Sequence, residues 1–138
     1  MKILILGAGQ VGSTLAKYLC LDDDNDITIV DQVEDKLTPL QRHLDIKTVV
    51  GYGAYPSVLE KAGIKTMDMV IAVMGSDERN MVACRMAHTL YHVDKKIARI
   101  RTTEYLLRPE IFTNEALPID FLITPEILIT DYIKGIVE

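Results

Sequence analysis

Short apolar, β-branched runs alternate along this chain with longer segments of helical period. The runs are Lys2–Leu6, Ile27–Val30, Lys47–Val50, Met69–Val73, Ile97–Ile100 and Phe121–Ile123. They read as continuous apolar stretches rather than in–out alternation, which predicts strands covered on both faces. Between them Val11, Leu15, Tyr18 and Leu19 mark one helical face, and Leu37, Leu40 and Leu44 mark a second. Val82, Met86, Ala87 and Leu90 mark a third. This alternation predicts βαβ units and a doubly wound, Rossmann-like α/β fold around a parallel sheet of about six strands. Pro56, Pro109 and Pro125 each fall where a first helical turn should begin, and Gly63 fits a helix-ending glycine. Pro39 would sit inside a helix begun near Glu34 and remove a backbone hydrogen bond, so a kink or a late start is expected there.

Gly7-Ala8-Gly9-Gln10-Val11-Gly12 is a GxGxxG that follows an apolar strand and opens an amphipathic helix. In that context Gly7 permits the tight turn, Gly9 leaves room for a diphosphate, and Gly12 lets the helix pack closely on the strand. Free amides and the positive helix end then face the phosphates. The second strand ends at Asp31, where a carboxylate can accept hydrogen bonds from an adenosine ribose. Asp31 repels a 2′-phosphate and Gln32 adds no cation, so NAD or another adenosine ligand fits better than NADP. Ligands of such sheets lie outside the carboxyl ends of the strands, which brings in two more loops. Gly51-Tyr52-Gly53-Ala54 after the third strand either borders an adenine or forms an ordinary turn before Pro56. Val73-Met74-Gly75-Ser76 after the fourth should pass near the second half of a dinucleotide. Asp77 and Glu78 come next, and acids in a first helical turn complement the macrodipole rather than bind phosphate.

Composition narrows the partners. The chain has 138 residues, room for one domain with a real core, with 49% hydrophobic and 25% charged residues and a net charge of −5. An acidic balance argues against a nucleic-acid or anionic-membrane surface. No apolar run reaches the roughly 18–20 residues that span a bilayer, and the first strand is too short for a secretory signal. Cys20 and Cys84 stand far apart without a CxxC, as in a reduced cytosolic domain. Catalytic equipment is sparse: the histidines are His43, His88 and His92, and no nucleophile elbow, P-loop lysine or paired-acid motif is present. Cys84, His88 and His92 share a helical stripe that is either a metal-binding face or a half-buried packing stripe. The segment is therefore read as no enzyme, with no metal. The competing reading is the cofactor domain of an NAD-dependent oxidoreductase whose substrate domain follows residue 138.

The last segment, Pro125–Glu138, carries Ile127, Leu128, Ile129, Tyr132, Ile133, Ile136 and Val137, far more apolar surface than one packed stripe requires. Such a helix needs its own sheet and a further partner, either a second chain or sequence beyond residue 138; a second chain is favoured. Residues 1–124 are thus expected to form the nucleotide-binding domain and 125–138 a dimerisation helix. The pattern also stops in mid-helix, as expected for the front of a longer protein.

Five stretches carry a family resemblance: the glycine loop, Ile27–Asp31, Val58–Gly63, Ser76–Cys84 and Ile97–Arg101. Together they resemble the RCK (KTN) nucleotide-binding domains that regulate potassium transport, over essentially the whole chain. The resemblance implies a non-catalytic cytosolic ring, peripheral at the inner face of the membrane and attached to an integral membrane potassium-transport subunit. In it NAD(H), or ATP and ADP, would change ring geometry and gate potassium flow. It implies binding positions at Gly7, Gly9, Gly12, Asp31, Gly51, Ala54 and the Ala72–Met74 strand end, with Arg99 and Arg101 either meeting phosphates or acids or forming surface salt bridges. It also implies that 125–138 is a crossover helix exchanged between neighbouring domains. Two departures stand out: Gln10 is neutral where some relatives carry an arginine for a triphosphate, and Tyr52 replaces a small polar or charged residue.

Overall fold

The computed structural model describes residues 1–124, 133 and 135–137. Six strands form one all-parallel sheet: β1 (Lys2–Leu6), β2 (Asp26–Asp31), β3 (Lys47–Val50), β4 (Met69–Ala72), β5 (Lys95–Arg99) and β6 (Phe121–Ile123), in the order β3-β2-β1-β4-β5-β6. Helices α1 (Gln10–Leu19), α2 (Glu34–His43), α3 (Pro56–Lys61), α4 (Asp77–Thr89) and α5 (Thr103–Leu106) connect them, with 3-10 turns at Ile64–Thr66 and Pro109–Ile111. The expected doubly wound α/β fold is present, and its strands fall within two residues of the apolar runs.

The pleat explains why the runs are continuous. Successive side chains point to opposite faces, so Ile3 and Ile5 join Leu15, Leu19, Leu37 and Leu40 of α1 and α2 on one side. Leu4 and Leu6 join Leu59 of α3 and Ala83, Cys84 and Ala87 of α4 on the other. Both faces are covered, so apolar side chains predominate at both parities, with Thr28 and Lys96 the buried polar exceptions among the described strand residues. Central β1 lies in register with two partners: Ile3 faces Ile27 and Met69, and Leu6 faces Val30 and Ala72.

Two local expectations are corrected. α2 runs from Glu34 to His43 with Pro39 inside it, so the late start is not taken. Buried Leu37 and Leu40 hold it to the sheet, which outweighs the loss of a single amide. The α4 face is also rotated from the expected one. Of the expected face Ala87 is fully buried and Met86 packs on the same cluster, but Val82 and Leu90 are 48% and 51% exposed while Ala83 and Cys84 are fully buried. Small side chains let this helix lie close on β4 and β5; a face of larger residues would hold it away.

The far end of β5 is fixed by a buried charge. Lys96 is 3% exposed, and its ammonium donates to the carbonyls of Val93 (2.9 Å) and Asp94 (3.2 Å) and pairs with Asp120 at 3.2 Å. Asp120 also accepts the Lys96 amide at 2.8 Å, which sets the start of edge strand β6 against β5. Arg85 of α4 donates to the carbonyls of Asn114, Glu115 and Ala116 and holds the long approach to β6. Pro125, Ile127, Leu128, Ile129 and Tyr132 lie outside the described residues. Ile133 is fully buried on the α1–α2 side of the sheet, and Ile136 and Val137 pack against the same cluster.

Candidate functional site

The sheet order reverses direction between β1 and β4, and the loops leaving β1, β2, β3 and β4 meet around that point. Gly7 leaves β1 with φ +111°, and its amide donates to the Val30 carbonyl at 2.8 Å. A Cβ on Gly7 would meet the Val73 carbonyl oxygen at 2.7 Å, and one on Gly12 would run into the Gly7 carbonyl oxygen. These two glycines therefore allow β1, α1 and β4 to converge. At Gly9 no atom stands within 4 Å of where a Cβ would be, so the loop's outer side is open.

Asp31 closes the neighbouring wall. Its Oδ2 accepts the Ala8 amide and its Oδ1 the Val33 amide, both at 2.8 Å. One lone pair of each oxygen is thus fixed by backbone, and the other remains for a hydroxyl pair. A cavity of about 290 Å³ opens here, and Gly7, Asp31, Gly51, Gly53 and Met74 of the expected residues line it. Val30, Gln32, Val33, Lys36, Gly75 and Arg79 complete the lining.

The remaining expected residues sit around this cavity rather than in its wall. Ala8 is buried and contributes its amide to Asp31. Gln10 is exposed at the start of α1, and Val11 packs against the α1–α2 cluster. Ala54 and Ala72 are buried in the α3–α4 cluster and Val73 in the opposite one. Tyr52 stacks on Tyr55 with ring centroids 4.5 Å apart. Cys84 points into the sheet, its thiol 3.9 Å from the Ile97 carbonyl and pushed up to about 12 by burial. His88 and His92 instead border a separate cavity with Lys96 and Asp120, so the three do not converge on one point. Among the described residues no group of three His, Cys, Asp or Glu is placed to hold a metal ion.

Asn80, not singled out in the sequence, joins Asp77, Arg99 and Arg101 in holding the β4–α4 loop. Asn80 is fully buried; its Oδ1 accepts the Met74 amide at 2.7 Å, and its Nδ2 donates to the carbonyls of Met74 (3.3 Å) and Arg99 (2.9 Å). Asp77, 6% exposed, accepts the amides of Arg101 (3.0 Å) and Thr102 (2.8 Å). It therefore does more than complement a helix end: it fastens α4 to the exit of β5. Burial alone would raise its pKa, but hydrogen bonds from Thr102 and Arg101 and the Arg101 charge hold it below the ordinary carboxylate value. Arg99 and Arg101 both donate to backbone carbonyls of the β4–α4 loop. Arg99 donates to the carbonyls of Val73 (3.3 Å) and Met74 (2.9 Å), and Arg101 to that of Gly75 (2.9 Å). Burial and the nearby Arg101 charge push the Arg99 guanidinium below its ordinary value, and its Nε has no partner among the described residues. The legible signal for this network was the Ser-Asp-Glu-Arg-Asn string that opens α4.

The TrkA-N domain profile matches residues 3–125. A Trk system potassium uptake protein TrkA of Halomonas elongata is 54% identical over 138 residues, covering 100% of this chain and 30% of that protein. The chain thus spans less than a third of the length of that relative. Among solved structures, the TrkA-N domain of the Escherichia coli inner membrane protein ybaL superposes with TM-score 0.76 at 18% identity, covering 99% of this chain and 96% of that one. The GsuK channel bound to NAD superposes with TM-score 0.71 at 20% identity, over 88% of this chain and 21% of that one. Other neighbours of this fold were solved with AMP and with ADP.

Proposed function

The chain belongs to the TrkA-N domain family, and from that premise we propose that it is the nucleotide-sensing part of a potassium-uptake regulator. In this reading the protein is cytoplasmic, sits peripherally at the membrane, and gates an integral membrane potassium-transport subunit. The observation that carries it is the Asp31 carboxylate, held by two amides beside a glycine loop whose outer side is open. That arrangement suits an adenosine ribose followed by phosphates, and NAD(H) is the first ligand it suits, with ADP and ATP next. The site binds and reports rather than catalyses: Asp31 serves as a hydroxyl acceptor, and ligand binding favours one of two arrangements of the assembly. Residues 1–124 form the sensing domain, and 125–138 form a crossover helix that pairs with a second copy.

Calorimetric titration of the full-length protein with NADH, NAD, ADP and ATP tests this reading. Asp31→Ala is expected to weaken adenosine ligands by about 1–3 kcal/mol, the range for a hydrogen bond to a charged group. Equal affinities in wild type and variant would remove the ribose role.

A further inference from the structure

Sheet order sets the direction in which a ligand runs through the cavity. The ribose acceptor Asp31 ends β2, the glycine loop follows β1 next to it, and Met74 and Gly75 follow β4 on the other side. From β2 to β4 is two strand spacings, about 10 Å. A phosphate chain anchored at Asp31 by its ribose therefore leads across Gly7 toward the start of α4. The glycine loop brings no cation of its own, since its interior side chains are those of Ala8, Gln10 and Val11.

Arg79 stands on the first turn of α4, the helix that follows the β4 loop. It lines the cavity together with Gly53 and Gly75. Its guanidinium lies over the Tyr52 ring, 4.9 Å from the centroid, and Tyr52 is steadied from behind by Tyr55. None of the ion pairs among the described residues involves Arg79. An exposed cation–π contact is weak, and all the guanidinium donors remain usable while it lasts. The second lining cation, Lys36, is on the first turn of α2, the helix that follows Asp31.

Resting on the nucleotide-binding reading above, we infer that Arg79 is the specificity-determining cation of this site. It rests on Tyr52 in the ligand-free protein and binds the phosphate beyond the one nearest the adenosine. The ligand class it selects is an adenosine diphosphate moiety, shared by ADP and NAD(H), over adenosine monophosphate. A planar guanidinium matches two phosphate oxygens at once, and such charge-assisted pairs are about twice as strong as neutral ones.

The test titrates AMP, ADP and NADH into wild-type protein, Arg79→Gln and Arg79→Lys by calorimetry. Arg79 is exposed, so unchanged thermal unfolding is expected and certifies the variants as folded. Wild type should prefer ADP to AMP. Arg79→Gln should lose about tenfold in affinity for ADP and NADH while leaving AMP nearly unchanged, and Arg79→Lys should retain part of the preference. A loss for NADH as well as ADP assigns the contact to the shared diphosphate; a loss for ADP alone assigns it to a free terminal phosphate, and overturns the claim for dinucleotides. If wild type binds all three and Arg79→Gln binds them identically, Arg79 does not read the phosphate and the nucleotide-sensing function stands. If wild type binds none of the three, both fall together.

Discussion

Asp77 and Asp31 are both carboxylates at the top of the sheet, and both accept pairs of backbone amides. Only Asp31 was legible in the sequence, because its position after an apolar strand and a glycine loop names its role. The partners of Asp77 come from the far end of β5, and no local pattern announces so distant a contact. Arg79 escaped for the same reason: its aromatic partner belongs to the loop after β3. The lowered pKa of Asp77 makes its role measurable. A carboxylate depressed in the folded state contributes fully above its ordinary value of 3.8, and that contribution fades as pH falls toward the lower folded value. Asp77→Asn is therefore expected to lose about 1–3 kcal/mol of stability at neutral pH. The gap should narrow in acid, where the wild-type carboxyl takes up its proton; urea unfolding at a series of pH values reads both.

At the scale of elements, strands were easier to place than helix faces. Burial on both sides makes a strand predominantly apolar at both parities, whereas a helix on a sheet can present either large or small side chains. For α4 the chain uses Ala83, Cys84 and Ala87 against the sheet, and a reading that favours bulk selects the exposed Val82 and Leu90 instead. The α1 contact was legible because glycine is the signal of close approach. Gly12→Val places its side chain against the Gly7 carbonyl, a backbone atom that cannot step aside. The expected result is a loss of about 1–3 kcal/mol in denaturant unfolding. Nucleotide binding should fall with it, since α1 can no longer present its first amides beside the glycine loop.

For the molecule as a whole, the edge strands β3 and β6 are where the sheet is least supported. The Lys96–Asp120 pair secures β6, and because Lys96 is its buried member, removing Asp120 leaves that ammonium without its counter-charge. The sequence marked β6 as a strand but not this lock, because a lysine in a strand pattern reads as an edge residue. It also marked an apolar excess in the last segment, without showing what covers it. If 125–138 pairs with a second copy, Ile129→Glu combined with Tyr132→Glu should shift sedimentation from dimer to monomer while leaving the unfolding transition of the sensing domain in place. An unchanged sedimentation profile would assign that segment to packing within one chain.

The β4–α4 loop has one more consequence. Its Val73, Met74 and Gly75 carbonyls are all engaged by guanidinium groups, so the negative ends of three peptide dipoles are compensated beside the place where phosphates would pass. Arg99 does this from a half-buried position, where dissolved ions screen poorly, while exposed Arg79 acts in open solvent. The attraction for an anionic ligand is accordingly divided into a part that ionic strength erodes and a part that it leaves in place. In the proposed role in potassium uptake, the salt content of the surroundings is the variable under control. A pocket built this way keeps a floor of affinity across that range.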